Sequence, residues 1–184
     1  MDRHVLIDRP ALLGLIEPDR WQRLQDQFAT VLGIPLRTVT ATHELLSAPS
    51  WPPAFEYEPA MQLLRIGEEL PQLFPSSQGP PAVTSATTPL GITYATVPIR
   101  ATSTQIVAYV VLGPCIVGAR DSEPQLRDRA SQLQLDADVL WPMLLSLKLH
   151  THSSIRSALQ LIEEVGTSIV GLAYQVKRLA GASA

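Results

Sequence analysis

From Ile155 onward, apolar residues return on a heptad. With Ile155 as position a, the later a positions are Ile162, Ile169 and Val176, and the d positions are Ala158, Val165, Leu172 and Leu179. Apolar a and d positions sustained this far predict a helix over about Ser153–Leu179 with a coiled-coil seam. β-branched residues at every a, with Leu at the last two d positions, favour two parallel strands. Leu159 and Leu161 widen the stripe, so the helix can equally pack on its own domain, or divide itself between body and partner. Gly166 and Gly171 each cost about 0.5–1 kcal/mol relative to Ala. Flanking positions such as Ser154, Leu159, Leu161, Ser168, Ala173 and Gln175 carry no charge to fix a partner by ion pairing. The seam is therefore expected to be soft.

The rest of the chain mixes both periodicities. Pro10–Ile16 predicts a helical turn or two, and Glu17-Pro18-Asp19 restarts a helix. Trp21, Leu24, Phe28, Val31 and Leu32 recur at three and four, with Gly33 placed to end the helix. Pro35–Thr42 reads as a strand and Leu45–Ser47 as a short return strand, before Pro49, Pro52 and Pro53 break the pattern around Trp51. Tyr57–Leu70 predicts a helix, Ser76–Pro81 a loop and Ala82–Ala86 a strand. Ile92–Arg100 and Gln105–Leu112 predict two long strands joined by a hairpin turn at Ala101–Thr104. In the first of them Tyr94, Thr96 and Pro98 share one face, and Pro98 suggests an edge or a bulge. Pro124–Leu133 and Ala137–Leu147 predict two further helices.

Composition narrows the function classes. At 184 residues with 46% hydrophobic residues, the chain can bury one core. Its net charge is −3 and it has no basic block, which argues against nucleic acid or an anionic membrane as partner. The longest apolar run, Ile106–Gly118, is too short to span a bilayer. The N-terminus has no signal-peptide pattern. The single cysteine, Cys115, fits a reducing compartment and excludes an internal disulfide. A soluble, cytoplasmic protein is expected.

No phosphate loop, zinc-protease motif or nucleophile–base–orienter set is visible, so neither enzyme activity nor a cofactor is expected. Gly113–Gly118 lacks the Gly-Lys-Ser/Thr ending of a phosphate loop. His150 and His152 have the wrong spacing for a helical metal pair and no acidic neighbour, so no metal site is assigned. Cys115 is expected to be a buried, inert thiol. Aromatic residues are more suggestive. Trp51, Phe55 and Tyr57 cluster in a proline-broken segment, and Tyr94, Thr96 and Tyr109 lie on the long strands. Together these six are candidate ligand-binding residues, with ordinary core or rim packing as the alternative.

The motif residues Leu24, Gln25, Asp26, Phe28 and Gly33, then Ser47-Ala-Pro-Ser50, then Thr93–Ile99 followed by Ala108–Pro114, resemble the PocR-type sensory domain. The order helix, strand pair, helices, three antiparallel strands and terminal helix is similarly PAS-like. Unlike many such domains, this chain has no cysteine between Ser50 and Gly113. The resemblance implies an α+β fold, a PAS-like antiparallel sheet flanked by helices. Residues 1–150 would form the sensory domain and 151–184 a C-terminal signalling helix. It further implies a cytoplasmic domain that binds a small, largely apolar ligand. That domain would signal through a homodimer joined at Ile155, Ala158, Ile162, Val165, Ile169, Leu172, Val176 and Leu179. The output module (a diguanylate cyclase, histidine kinase or transcription regulator) would lie outside this chain. The alternative expectation is a ligand-free dimerisation scaffold.

Overall fold

Pro18 begins the first described helix, α1 (Pro18–Leu32), where its missing N–H leaves no bond unmade. Gly33 ends that helix at φ 66°, its N–H returning to the Ala29 carbonyl at 2.9 Å. In the computed structural model, residues 14–40, 44–53 and 83–182 are described. The expected helices at Pro10–Ile16 and Tyr57–Leu70, and the loop at Ser76–Pro81, lie largely or wholly outside them.

After α1 come β1 (Leu36–Val39), β2 (Thr84–Thr87), β3 (Ile92–Thr102) and β4 (Gln105–Val117). Two helices follow, α2 (Glu123–Gln132) and α3 (Ala137–Ser146), then β5 (Leu149–His150) and the long α4 (His152–Ala182). The spatial order is β1-β4-β3-β2, antiparallel throughout, with β5 added parallel to the end of β4 at Ile116 and Val117. On the outer side of β1, the segment expected as a return strand pairs only through bridges at Val39–Leu45 and Leu36–Ser50. The fold is thus α+β, an antiparallel sheet flanked by helices and closed by a long C-terminal helix.

One strand expectation changes. β4 does not stop at Leu112 but continues through Gly113 to Val117. Gly113 sits at φ 119°, and a Cβ there would lie 2.7 Å from the Thr93 carbonyl oxygen. Only glycine lets β3 and β4 stay in contact across this register shift. Pro98 lies in β3, which runs between β4 and β2. However, β2 pairs with β3 only from Thr93 to Thr96, so at Pro98 the strand is locally an edge and a missing N–H is tolerated.

The helices divide between the two sheet faces. α1 and α4 cover the face bearing Leu36, Ala95, Val97, Ile99, Val110 and Leu112, where Ile155, Ala158, Leu159, Ile162 and Val170 complete the main core. α2 and α3 pack with Leu126, Leu140, Met143 and Leu144 around Ile92, Tyr94 and Ile116.

The sequence assigned all eight heptad positions of α4 to a dimer seam. The structure corrects this for the first half. Ile155, Ala158 and Ile162 are buried against their own sheet, and Val165 and Ile169 are half-buried. The cause is that α4 lies directly on β3, so the sheet occupies the stripe before any partner can reach it. Ala173 and Tyr174 are the last residues of α4 that pack on the core, while Leu172, Val176 and Leu179 are 63–67% exposed. The division at residue 150 is therefore not a packing boundary, because the first half of α4 belongs to the core.

Gly166 makes the close seating possible. A Cβ there would lie 2.6 Å from Ile99 Cδ1 and 3.4 Å from Trp21 Cη2, whereas one at Gly171 would meet only the Ala101 carbonyl oxygen at 3.6 Å. The two glycines should therefore respond oppositely. Gly171→Ala is expected to stabilise by about 0.5–1 kcal/mol through helix propensity. Gly166→Ala is expected to destabilise by about 1 kcal/mol, since overpacking against Ile99 outweighs the same gain. Thermal melts of the two variants read the signs directly.

Candidate functional site

The motif residues behind the family resemblance build a hydrogen-bond network between α1, β1 and the 44–50 segment. Gln25, 3% exposed, is its centre. Its Nε2 donates to Ser50 Oγ at 2.7 Å and to the Ala48 carbonyl at 2.8 Å. Its Oε1 accepts from Thr38 Oγ1 at 2.6 Å and Ser47 Oγ at 2.7 Å. Trp21 Nε1 donates to Thr38 Oγ1 at 2.7 Å, and Ser50 Oγ donates to Asp26 Oδ1 at 2.5 Å. A buried amide so fully engaged fixes the angle of α1 against β1. The role of these residues here is positional.

The opposite face of the sheet holds the strand candidates. Arg37 pairs with Val111 and Val39 with Tyr109, while Thr96 and Pro98 pair with the same two β4 residues from the other side. Directly opposed residues share a face, so Arg37, Val39, Tyr94, Thr96 and Tyr109 form one surface. Tyr94 and Thr96 are fully buried and Tyr109 nearly so. Thr96 Oγ1 lies 2.5 Å from Thr84 Oγ1. Burial pushes the Tyr94 phenol well above its ordinary range, with Arg37 opposing and Cys115 adding to the rise. Burial also raises Tyr109, opposed by Arg100. Both phenols stay neutral, and they offer hydrogen bonds rather than acid–base chemistry.

Of the six candidate residues, Tyr94, Thr96 and Tyr109 are thus brought together. Trp51 is half-buried beyond Ser50, and Phe55 and Tyr57 lie outside the described residues. Arg37 was not singled out from sequence, although a lone arginine in the apolar and β-branched run Leu36–Val39 is the signal that marks it.

A concavity lies on the α1/α4 side. Between β2 and the first half of α4 a cavity of about 530 Å³ is lined by Val83, Ser85, Thr87 and Thr93 on the strands and by Ile155, Arg156 and Leu159 on the helix. It has no counterpart in the sequence expectations, because β2 and α4 are some 65 residues apart in the chain.

Elsewhere the chemistry is quiet. Among the described residues no three His, Cys, Asp or Glu side chains gather as a metal site. None of the described helices is long and apolar enough to cross a membrane. Burial lowers the His150 imidazole, with Lys148 contributing. Acids of α2 and its neighbours are tied into surface ion pairs, Glu123 and Asp138 with Arg127 and Asp121 with Arg129. No family description, curated protein or solved structure matches the chain.

Two measurements follow from these environments. Gln25→Leu leaves the Thr38 and Ser47 hydroxyl protons without the acceptor they use, and should cost about 2–4 kcal/mol in urea unfolding. Cys115 is buried, and desolvation pushes its thiol up to about 12. At pH 8 about one thiol in ten thousand is then ionised. An aromatic disulfide reagent should leave the native protein unlabelled and react once urea unfolds it.

Proposed function

We propose that this protein is a cytoplasmic, PAS-like sensory domain of the PocR type. It binds a small ligand and passes its state through paired C-terminal helices to an output module. The observation that carries the reading is the divided α4. Its first half is part of the sheet's own core, while its second half leaves the body with Leu172, Val176 and Leu179 exposed on one stripe. A rigid helix joined to a sheet at one end and apolar at the other is suited to carry a change in the sheet outward. The order of strands and helices adds support by analogy of fold. The face of Arg37, Tyr94, Thr96 and Tyr109 is the candidate ligand contact, with Trp51 at its margin.

Magnitudes point to a weak seam. Fully covering a Leu or Val side chain returns about 1.5–3 kcal/mol, so the three residues of each of two helices, already about one-third covered, yield about 6–12 kcal/mol. Association costs about 4–15 kcal/mol, which leaves little surplus. Dimerisation should therefore be concentration-dependent, and a ligand that favours one helix arrangement can shift it.

A second reading has its own observation. Tyr94 and Thr96 are fully buried, as they are in a filled core, and this favours a ligand-free dimerisation scaffold. One experiment separates the two. Solution mass is measured from about 1 μM to 1 mM for the parent chain and for Leu172→Lys/Val176→Lys, with and without pooled small metabolites. The sensor reading expects a monomer–dimer transition that the double variant abolishes and that one pool shifts together with the melting temperature. A transition that no pool moves supports the scaffold. A monomer at every concentration removes the helix-pair relay.

A further inference from the structure

We propose that the trough between β2 and the first half of α4 is a binding site for a small organic acid, a carboxylate carried on a compact apolar body. The site lies on the opposite side of the sheet from Tyr94 and Thr96 and is independent of them. Only its consequence for α4 rests on the sensor reading.

Among the described residues, α4 is centred on β3 and β2 ends the sheet, so the trough opens beside β2. There the sequence places Ser85 and Thr87, both exposed, where larger apolar side chains would have filled the gap. The resulting cavity, about 530 Å³, is within the usual 300–1,000 Å³ of small-molecule sites. Its apolar surface comes from Val83 and Val117 on the sheet and from Ile155 and Leu159 on the helix. Its polar groups come from both the strand wall and the helix wall. Thr87 and Thr93 hydroxyls lie 2.9 Å apart, next to Ser85. Arg156 and Gln160 face them from the helix flank, and His152 stands at the first residue of α4.

Charge selects the ligand. Glu163, the acid on the lining, is held in an ion pair by Arg100 and does not cancel Arg156. Arg156 makes no ion pair among the described residues. The first turn of α4 adds the positive end of a helix dipole at the same place. A carboxylate can take a two-pronged hydrogen bond from the guanidinium and further bonds from the Ser85 and Thr87 hydroxyls. The apolar body then lies on Leu159, Ile155 and Val117. A neutral molecule of the same shape gains only the second part.

The position also gives binding a lever. Ile155, Arg156, Leu159 and Gln160 form one flank of α4, so an occupant touches the helix and the edge of the sheet at once. It can stabilise one seating of the helix over another only by this differential contact.

The test uses the full chain and four probes, phenylacetate and hexanoate against phenylacetamide and hexanamide, followed by amide chemical shifts. Both carboxylates should perturb the backbone of residues 85–87 and 152–163, and the amides should bind about tenfold or more weakly. Arg156→Gln should weaken the carboxylates by a similar factor without moving the melting temperature. Ser85→Phe, which fills the trough, should abolish binding. No perturbation at about 10 mM carboxylate overturns the proposal. So do shifts centred on Thr96 and Tyr109 that Arg156→Gln leaves unchanged, an outcome that keeps the sensor reading and moves the ligand to the other face. Carboxylate binding in the trough with no change in self-association supports the site and removes the relay.

Discussion

The contact on which the rest of the molecule depends is the seating of α4 on β3. Ile155, Ala158, Leu159, Ile162 and Val170 share one core with Ala95, Val97 and Ile99, and α1 joins the same cluster. Each fully buried aliphatic side chain contributes about 1.5–3 kcal/mol, so this contact dominates the other attachments of the helix. Polar groups fix its register. Arg100 pairs with Glu163, and its backbone N–H donates to Thr167 Oγ1 at 3.3 Å. Gly166 removes the one side chain that would hold the helix away from Ile99. Where α4 crosses β3 also sets how much of its stripe is used up, how far its end projects and how wide the trough beside β2 becomes.

The two faces of the sheet carry different chemistry for a common reason. The face under α1 and α4 has an apolar centre, bordered on the α1 side by the Gln25 network, in which nearly every hydrogen-bonding group of a buried amide is used. Such a network costs little when complete and much when broken, so it acts as a specificity device for one placement of α1. The other face keeps Arg37, two neutral phenols and a pair of threonine hydroxyls buried in the sheet. Proton transfer by the phenols is not available there, because burial holds both in the neutral form.

Much of this was legible from the chain. Period-two alternation placed Tyr94, Thr96 and Pro98 on one face, and the spacing of Trp21, Leu24 and Phe28 with Gly33 marked α1 and its end. Isolation in an apolar run marked Cys115 as buried. Other features were not legible, each for a physical reason. The predicted strand ends at Leu112 because Gly and Pro usually punctuate a strand, yet β3 supplies the close partner that keeps β4 extended through Gly113 and Pro114. Gly166 read as a defect of the helix, although its value lies in an approach to Ile99, 67 residues earlier. Neither partner can be seen from local sequence.

The heptad is where the two kinds of information meet. The sequence by itself determined that the last helix has an apolar side, which residues form it, and that its flanks carry no charge to specify a partner. What covers that side was decided only by the tertiary structure. Periodicity reports the direction in which a helix is apolar, and any surface of matching shape satisfies it. The sheet is tethered to the same chain and is present at a high effective concentration, so it takes the first half from Ile155 to Ile162. The stripe of Leu172, Val176 and Leu179 stays exposed because the sheet does not reach beneath it.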